Sequence, residues 1–149
     1  MKHLILCILL GLSACQSTTE PAPEQNNNLP YLDLTAVQSD KPERQYWQES
    51  KRTYPGYPIA AAADRRSGCV QFEFGINAQG HPEGYRIIKS YPQGIFDQKA
   101  ADALAQWRWK SATNESQSQP VFTRVQMDFM VKGARNIAEA EENCGYQHN

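Results

Sequence analysis

Three histidines and four cysteines hold most of what this chain could bring to catalysis or metal binding. His3 lies at the N-terminus, His81 in a Gly-His-Pro turn and His148 near the C-terminus, and none belongs to a run of three or four Cys and His at the spacings that a metal site needs. Ser67 and Ser90 lack an obvious base and orienting acid. Neither a glycine-rich phosphate loop nor an HExxH pattern occurs, and the acidic run Glu139-Ala140-Glu141-Glu142-Asn143 has the composition of a solvated helix face. Acid–base and nucleophilic chemistry both need convergent groups with tuned pKa values. The chain therefore reads as a non-enzyme, with no catalytic residue, metal or cofactor expected.

The cysteines divide by position. Residues 1–14 open with Lys2, continue through an apolar run from Leu4 to Leu12 and end in small residues, the layout of a secretory signal too short to span a bilayer. Leu12-Ser13-Ala14-Cys15 is similar to the bacterial lipobox, which implies a lipid on Cys15 as the mature N-terminus; a plain cleaved signal is the alternative. Gln16, where an Asp would signal inner-membrane retention, favours the outer membrane by the same resemblance. One acyl chain binds a membrane only marginally, whereas a set of chains anchors. Cys7 leaves with the signal, so Cys69 and Cys144 remain, and an even pair in an oxidising compartment predicts a disulfide. Such a loop adds about 4 kcal/mol through chain entropy. Two free thiols or a metal pair are the weaker readings, because too few further Cys and His lie at suitable spacing to complete a site.

Without Lys2 there are 14 basic and 16 acidic side chains, too balanced to attract nucleic acid. A length of 149 residues allows one domain and a linker. Residues 15–53 are polar and proline-spotted and read as a flexible linker, with Tyr31, Leu32, Leu34 and Val37 able to dock as a short strand. A coil of that length averages roughly 35–40 Å end to end. The domain is expected over 54–132, followed by a tail, 133–149, tied by the disulfide.

Within the domain, Pro58 and the alanine-rich stretch after it predict a helix over 58–66 that ends at Gly68. Val70, Phe72, Phe74 and Ile76 alternate with Gln71, Glu73, Gly75 and Asn77, which predicts a strand, and a turn at 78–82 returns EGYRIIKS as a second strand. Phe96, Ala100, Leu104 and Trp107 form a helical stripe, with Asp97 at its start and Arg108 and Lys110 at its end. A third strand alternates Val121, Thr123, Val125, Met127, Phe129 and Val131 with Phe122, Arg124, Gln126, Asp128 and Met130. A right-handed crossover places this strand antiparallel to the first, in the sheet order second, first, third. The expectation is an α+β fold: a three-stranded antiparallel sheet with two helices on one face. Trp107 belongs to the core stripe, Trp109 is the more exposed aromatic, and Tyr54, Tyr57, Tyr91 and Trp47 could gather on the surface.

The run from Tyr57-Pro58 through Gly68, the alternating strand, Gly80, Ser90, Phe96-Asp97, Ala100, Leu104 and Trp107-Arg108-Trp109 resembles the TonB C-terminal domain over about 75 residues. That resemblance implies a protein-binding module whose last strand, Val121 to Phe129, is an open edge that takes up an extended segment, such as the N-terminal box of an outer-membrane transporter. It also implies a periplasm-facing place in the cell envelope. The chain departs from the pattern by lacking an uncleaved N-terminal membrane helix and a long proline-rich spacer, by Lys110-Ser111 where a proline commonly follows, and by Tyr54 where a glutamine would contact the box. The alternatives are a structural or accessory lipoprotein whose edge is closed by its own tail or by self-association, and a peptidoglycan-binding module using exposed aromatics.

Overall fold

A computed structural model describes residues 30–39, 41–113 and 118–146. The signal segment, Cys15 and His148 lie outside the described residues. In chain order the elements are β1 (Leu32–Asp33), a 3₁₀ turn (Pro42–Gln45), β2 (Trp47–Lys51), α1 (Ile59–Ala63), β3 (Gly68–Ile76), β4 (Pro82–Tyr91), α2 (Asp97–Leu104), β5 (Arg108–Ser111), β6 (Val121–Phe129) and α3 (Ile137–Cys144). A four-stranded sheet runs β1-β6-β3-β4, and β2 pairs with β5 in a second sheet. The expected order of second, first and third strand is present as β4-β3-β6, antiparallel throughout.

Period-two alternation of apolar side chains explains the central strand. Val70, Phe72, Phe74 and Ile76 of β3 meet Val121, Met127 and Phe129 of β6 and Phe96, Ala100, Ala103 and Leu104 from α2 and its approach in one core. Phe96 stacks on Phe129 at 4.3 Å, and the Tyr57 ring meets both edge-on at 5.6 and 5.9 Å. Such aromatic packing adds to the area that it buries.

Five expectations need correction. The main sheet has four strands and is joined by a second sheet, because residues before 54 contribute β1 and β2. There are three helices: α1 and α2 lie on the core face, and α3 lies on the other. The α2 helix ends at Leu104 instead of running through Lys110, and Arg108 and Lys110 belong to β5. Trp107 and Trp109 are both buried, at 3% and 6% exposure, so Trp109 offers no aromatic platform. Nor do the tyrosines and Trp47 gather on the surface: Trp47 is buried, its indole N–H donating to the Gln119 carbonyl at 2.9 Å.

Two close approaches fix this arrangement. Gly80 has φ +74°, and a Cβ there would lie 2.0 Å from the Trp109 carbonyl oxygen. The β3–β4 turn can therefore press on β5, whose Trp109 N–H donates to the Gly80 carbonyl at 2.9 Å. On the opposite face Cys69 and Cys144 form the expected disulfide, with Cα atoms 5.8 Å apart. Asn136 adds a reciprocal pair with the Ser67 backbone, at 2.9 Å in each direction, that seats the start of α3.

Candidate functional site

β6 stays in register with β3 without a shift from Gly68↔Phe129 to Ile76↔Val121. On its other side, Leu32 N–H donates to the Pro120 carbonyl at 2.9 Å and Leu34 N–H to the Phe122 carbonyl at 2.8 Å. Even-numbered residues of β6 thus turn their backbone groups away from β3. After Phe122 the next in line are Arg124, Gln126 and Asp128, and no described strand lies beyond them. The expected edge, Val121 to Phe129, is therefore strand-paired over its first two residues, and no described strand pairs with the rest, which the 3₁₀ turn and the end of α3 approach.

The cover is a strap from the N-terminal side of the domain. Besides the two backbone bonds, Gln119 Nε2 donates to the Pro30 carbonyl at 2.8 Å. Tyr31 crosses the outer face above Gly75, where a Cβ would come within 2.6 Å of the ring, and its hydroxyl donates to Glu83 of β4. Burial first, and the Glu83 bond second, push the Tyr31 hydroxyl above its usual pKa. The tail, by contrast, adds no strand to the edge through Tyr146, although Cys144 and Gly145 border the groove beside it. α3 packs on β3 and β4, and Gln126 Nε2 reaches the Cys144 carbonyl at 2.8 Å on the outer face.

The two faces of β6 differ in what they offer. Outward, Glu73 on β3 is clasped between Arg124 of β6 (Nε 2.8 Å, Nη2 2.7 Å) and Arg86 of β4 (Nε 2.6 Å). Arg124 chiefly, then Arg86, hold the Glu73 carboxyl below the usual carboxylate range. Inward, Thr123, Val125, Met127 and Phe129 face the core side, as their alternation predicts. A groove of about 610 Å³ follows this strand, walled on the far side by residues from 34–39 and 41–43 together with Glu49 and Arg52, and floored by Trp107 and Trp109. Glu49 there pairs with Lys41 at 3.3 Å and with Arg52 at 3.2 Å.

Four buried side-chain atoms have no hydrogen-bond partner among the described residues: Glu43 Oε2, Arg52 Nε, Trp109 Nε1 and Thr123 Oγ1. All four residues line this groove. Each such atom costs about 1–3 kcal/mol. Burial raises the Glu43 carboxyl above its ordinary pKa. The other two tryptophans are satisfied, Trp47 as described and Trp107 through the Thr53 carbonyl at 2.7 Å.

Among the described residues no group of three His, Cys, Asp or Glu could hold a metal ion, and no helix is long and apolar enough to cross a membrane. His81 sits exposed in its turn.

The sequence profile of the Gram-negative bacterial TonB protein C-terminal region matches residues 53–131, more than half of the chain. The chain belongs to the TonB C-terminal family. Among solved structures it is similar to the C-terminal domain of Pseudomonas aeruginosa TonB, with a TM-score of 0.56 and 21% identity over 72% of this chain and 99% of that one. At that identity the likeness speaks for the fold. No curated protein matches in sequence. The TonB C-terminal family is one of non-enzymatic protein-interaction modules of envelope transport. Of the groove residues, Glu43, Glu49 and Arg52 precede the matched region, while Trp109, Thr123 and the β6 edge lie inside it. The resemblance pointed to β6 but not to the wall opposite, whose one local signal is the large apolar Trp47 set in polar sequence.

Proposed function

We propose that this protein is a lipid-anchored envelope module that captures an extended segment of another protein as an added strand on β6. The observation that carries this reading is the regular, unshifted β6 ladder with Arg124, Gln126 and Asp128 turned to an edge that no described strand occupies. Such a row of backbone donors and acceptors is what an extended peptide satisfies in β-augmentation. Arg124 to Asp128 supplies five residues, about the length of a common strand. The N-terminal box of an outer-membrane transporter is the partner that membership of the TonB family suggests. Lipid on Cys15 would hold the domain on the periplasmic side of the envelope, in the outer rather than the inner membrane.

A second reading rests on the strap. Residues 30–34 already pair with the start of β6, as they would in an accessory protein that closes its own edge. Photo-crosslinking in the living cell from probes at Gln126 and Asp128, with mass spectrometry of the captured partner, separates the two. Recovery of a transporter N-terminal segment supports strand addition with TonB-type recognition. Recovery only of this chain's own 30–39 segment, or of a second copy, sinks it in favour of the closed edge. A mass shift on Cys15 that is lost in Cys15→Ser tests the anchor separately.

A further inference from the structure

Resting on strand addition at β6, we propose that the groove on the core side of that edge selects a neutral carboxamide side chain, Asn or Gln, in the segment that pairs there. An added strand continues the pleat, so alternate side chains point to the core side of the sheet and meet the groove. The atoms left without partners there are of mixed character: Trp109 Nε1 and Arg52 Nε donate, Glu43 Oε2 accepts and the Thr123 hydroxyl does either. A carboxamide is the common side chain that carries both an acceptor and paired donors without charge.

The charge of the lining favours a neutral group. On the core side of the edge Lys41 and Arg52 are matched by Glu43 and Glu49. Glu49 is already engaged with both cations. An entering Lys or Glu would be desolvated against a balanced set, whereas an amide would satisfy orphaned atoms at no ionic cost. Glu43 and Arg52 precede the stretch shared with the family, so this selectivity belongs to the chain's own N-terminal wall.

The test is selection of random heptapeptides displayed on phage against the full chain in detergent micelles, followed by affinities of synthetic hits. The expected result is Asn or Gln enriched at one position between alternating apolar residues, with affinity falling about ten-fold when that residue becomes Leu, Glu or Lys. Thr123→Val and Glu43→Met should each shrink the preference for Gln over Leu to about two-fold. Their unfolding temperatures should stay level or rise, because each removes an unpartnered atom at nearly constant shape. Peptides that protect the Gln126 and Asp128 amides from exchange without any Asn or Gln preference would overturn the selectivity and leave strand addition standing. A library in which no peptide protects those amides overturns both.

Discussion

β4 and β6 both flank β3, yet they meet it on different terms. β4 slips register twice, between Gln71 and Phe72, where Ile88 is an extra residue, and between Glu73 and Gly75, where the Gly84-Tyr85 pair stands opposite the single Phe74. Gly84 takes φ +57° in the second irregularity. Bulges of this kind twist and blunt an edge, and the exposed charges Arg86 and Lys89 reinforce the effect. β6 keeps its register over nine residues and is guarded only at Val121 and Phe122 by the strap. One border of the sheet is thus built to refuse a further strand. The other remains flat, ends in a groove with orphaned polar atoms, and is where an added strand fits.

The largest effect comes from the support behind the sheet. Replacing Cys69 and Cys144 together by Ser opens a loop of sequence separation 75, and chemical denaturation should show a loss of about 4 kcal/mol. Because α3 rests on β3 and β4, hydrogen exchange should rise there, while the amides of Arg124, Gln126 and Asp128, exposed from the outset, should hardly change. A rise confined to β6 would mean that the tail guards the wrong edge for this account.

Gln126→Pro removes an outward N–H from the middle of the open stretch and leaves the β3 ladder its bonds. Partner binding should fall about a hundred-fold, or about 2.7 kcal/mol. Ile88→Asp on the bulged strand should leave binding within about two-fold, since β4 offers no continuous ladder. Equal losses from both variants would erase the contrast between the edges.

Gly75→Val probes the strap. The added Cβ would meet the Tyr31 ring at 2.6 Å, and because that ring is partly exposed it should swing away and release its hold on Glu83. The expected cost is about 1–2 kcal/mol, with faster exchange at the Leu32 and Leu34 amides. If the strap competes with the incoming strand, binding tightens by a few-fold. Unchanged affinity would show that residues Arg124 to Asp128 suffice.

Much of this was legible where one period rules a segment. The apolar alternations of Val70 to Ile76 and of Val121 to Phe129 each mark a single core-facing side, so strand type, pairing and sheet order followed from the residues, although β3 is buried on both faces. Trp107 misled because it satisfies two periods at once, closing the helical stripe from Phe96 and opening the two-residue alternation with Trp109. Aromatic residues favour strands, and the chain leaves the helix before them. β1 and β2 were harder still. The two paired residues of β1 are both exposed, and β2 buries Trp47 alone, so neither shows a hydrophobic period. The groove depends on residues about 80 apart in sequence, such as Glu43 and Thr123, which no local pattern brings together.

The smallest effect separates the two sides of β6 by pH. Glu73 is held below the ordinary carboxylate value of 4.5, so its clasp between the two edge strands contributes fully above that value and is lost as pH falls through the lowered one. Glu43 runs the other way. Burial raises it above 4.5, so the folded state holds the proton more tightly than the unfolded chain, and stability declines as pH rises from 4.5 through the raised value. Glu43→Gln should therefore flatten the stability profile above 4.5 and leave the acid limb intact, whereas Glu73→Gln should flatten the acid limb. Urea titrations across that range read both. If Glu43→Gln left the slope above 4.5 untouched, its carboxylate would already be solvated in the empty groove, and the carboxamide would have one fewer orphan to satisfy.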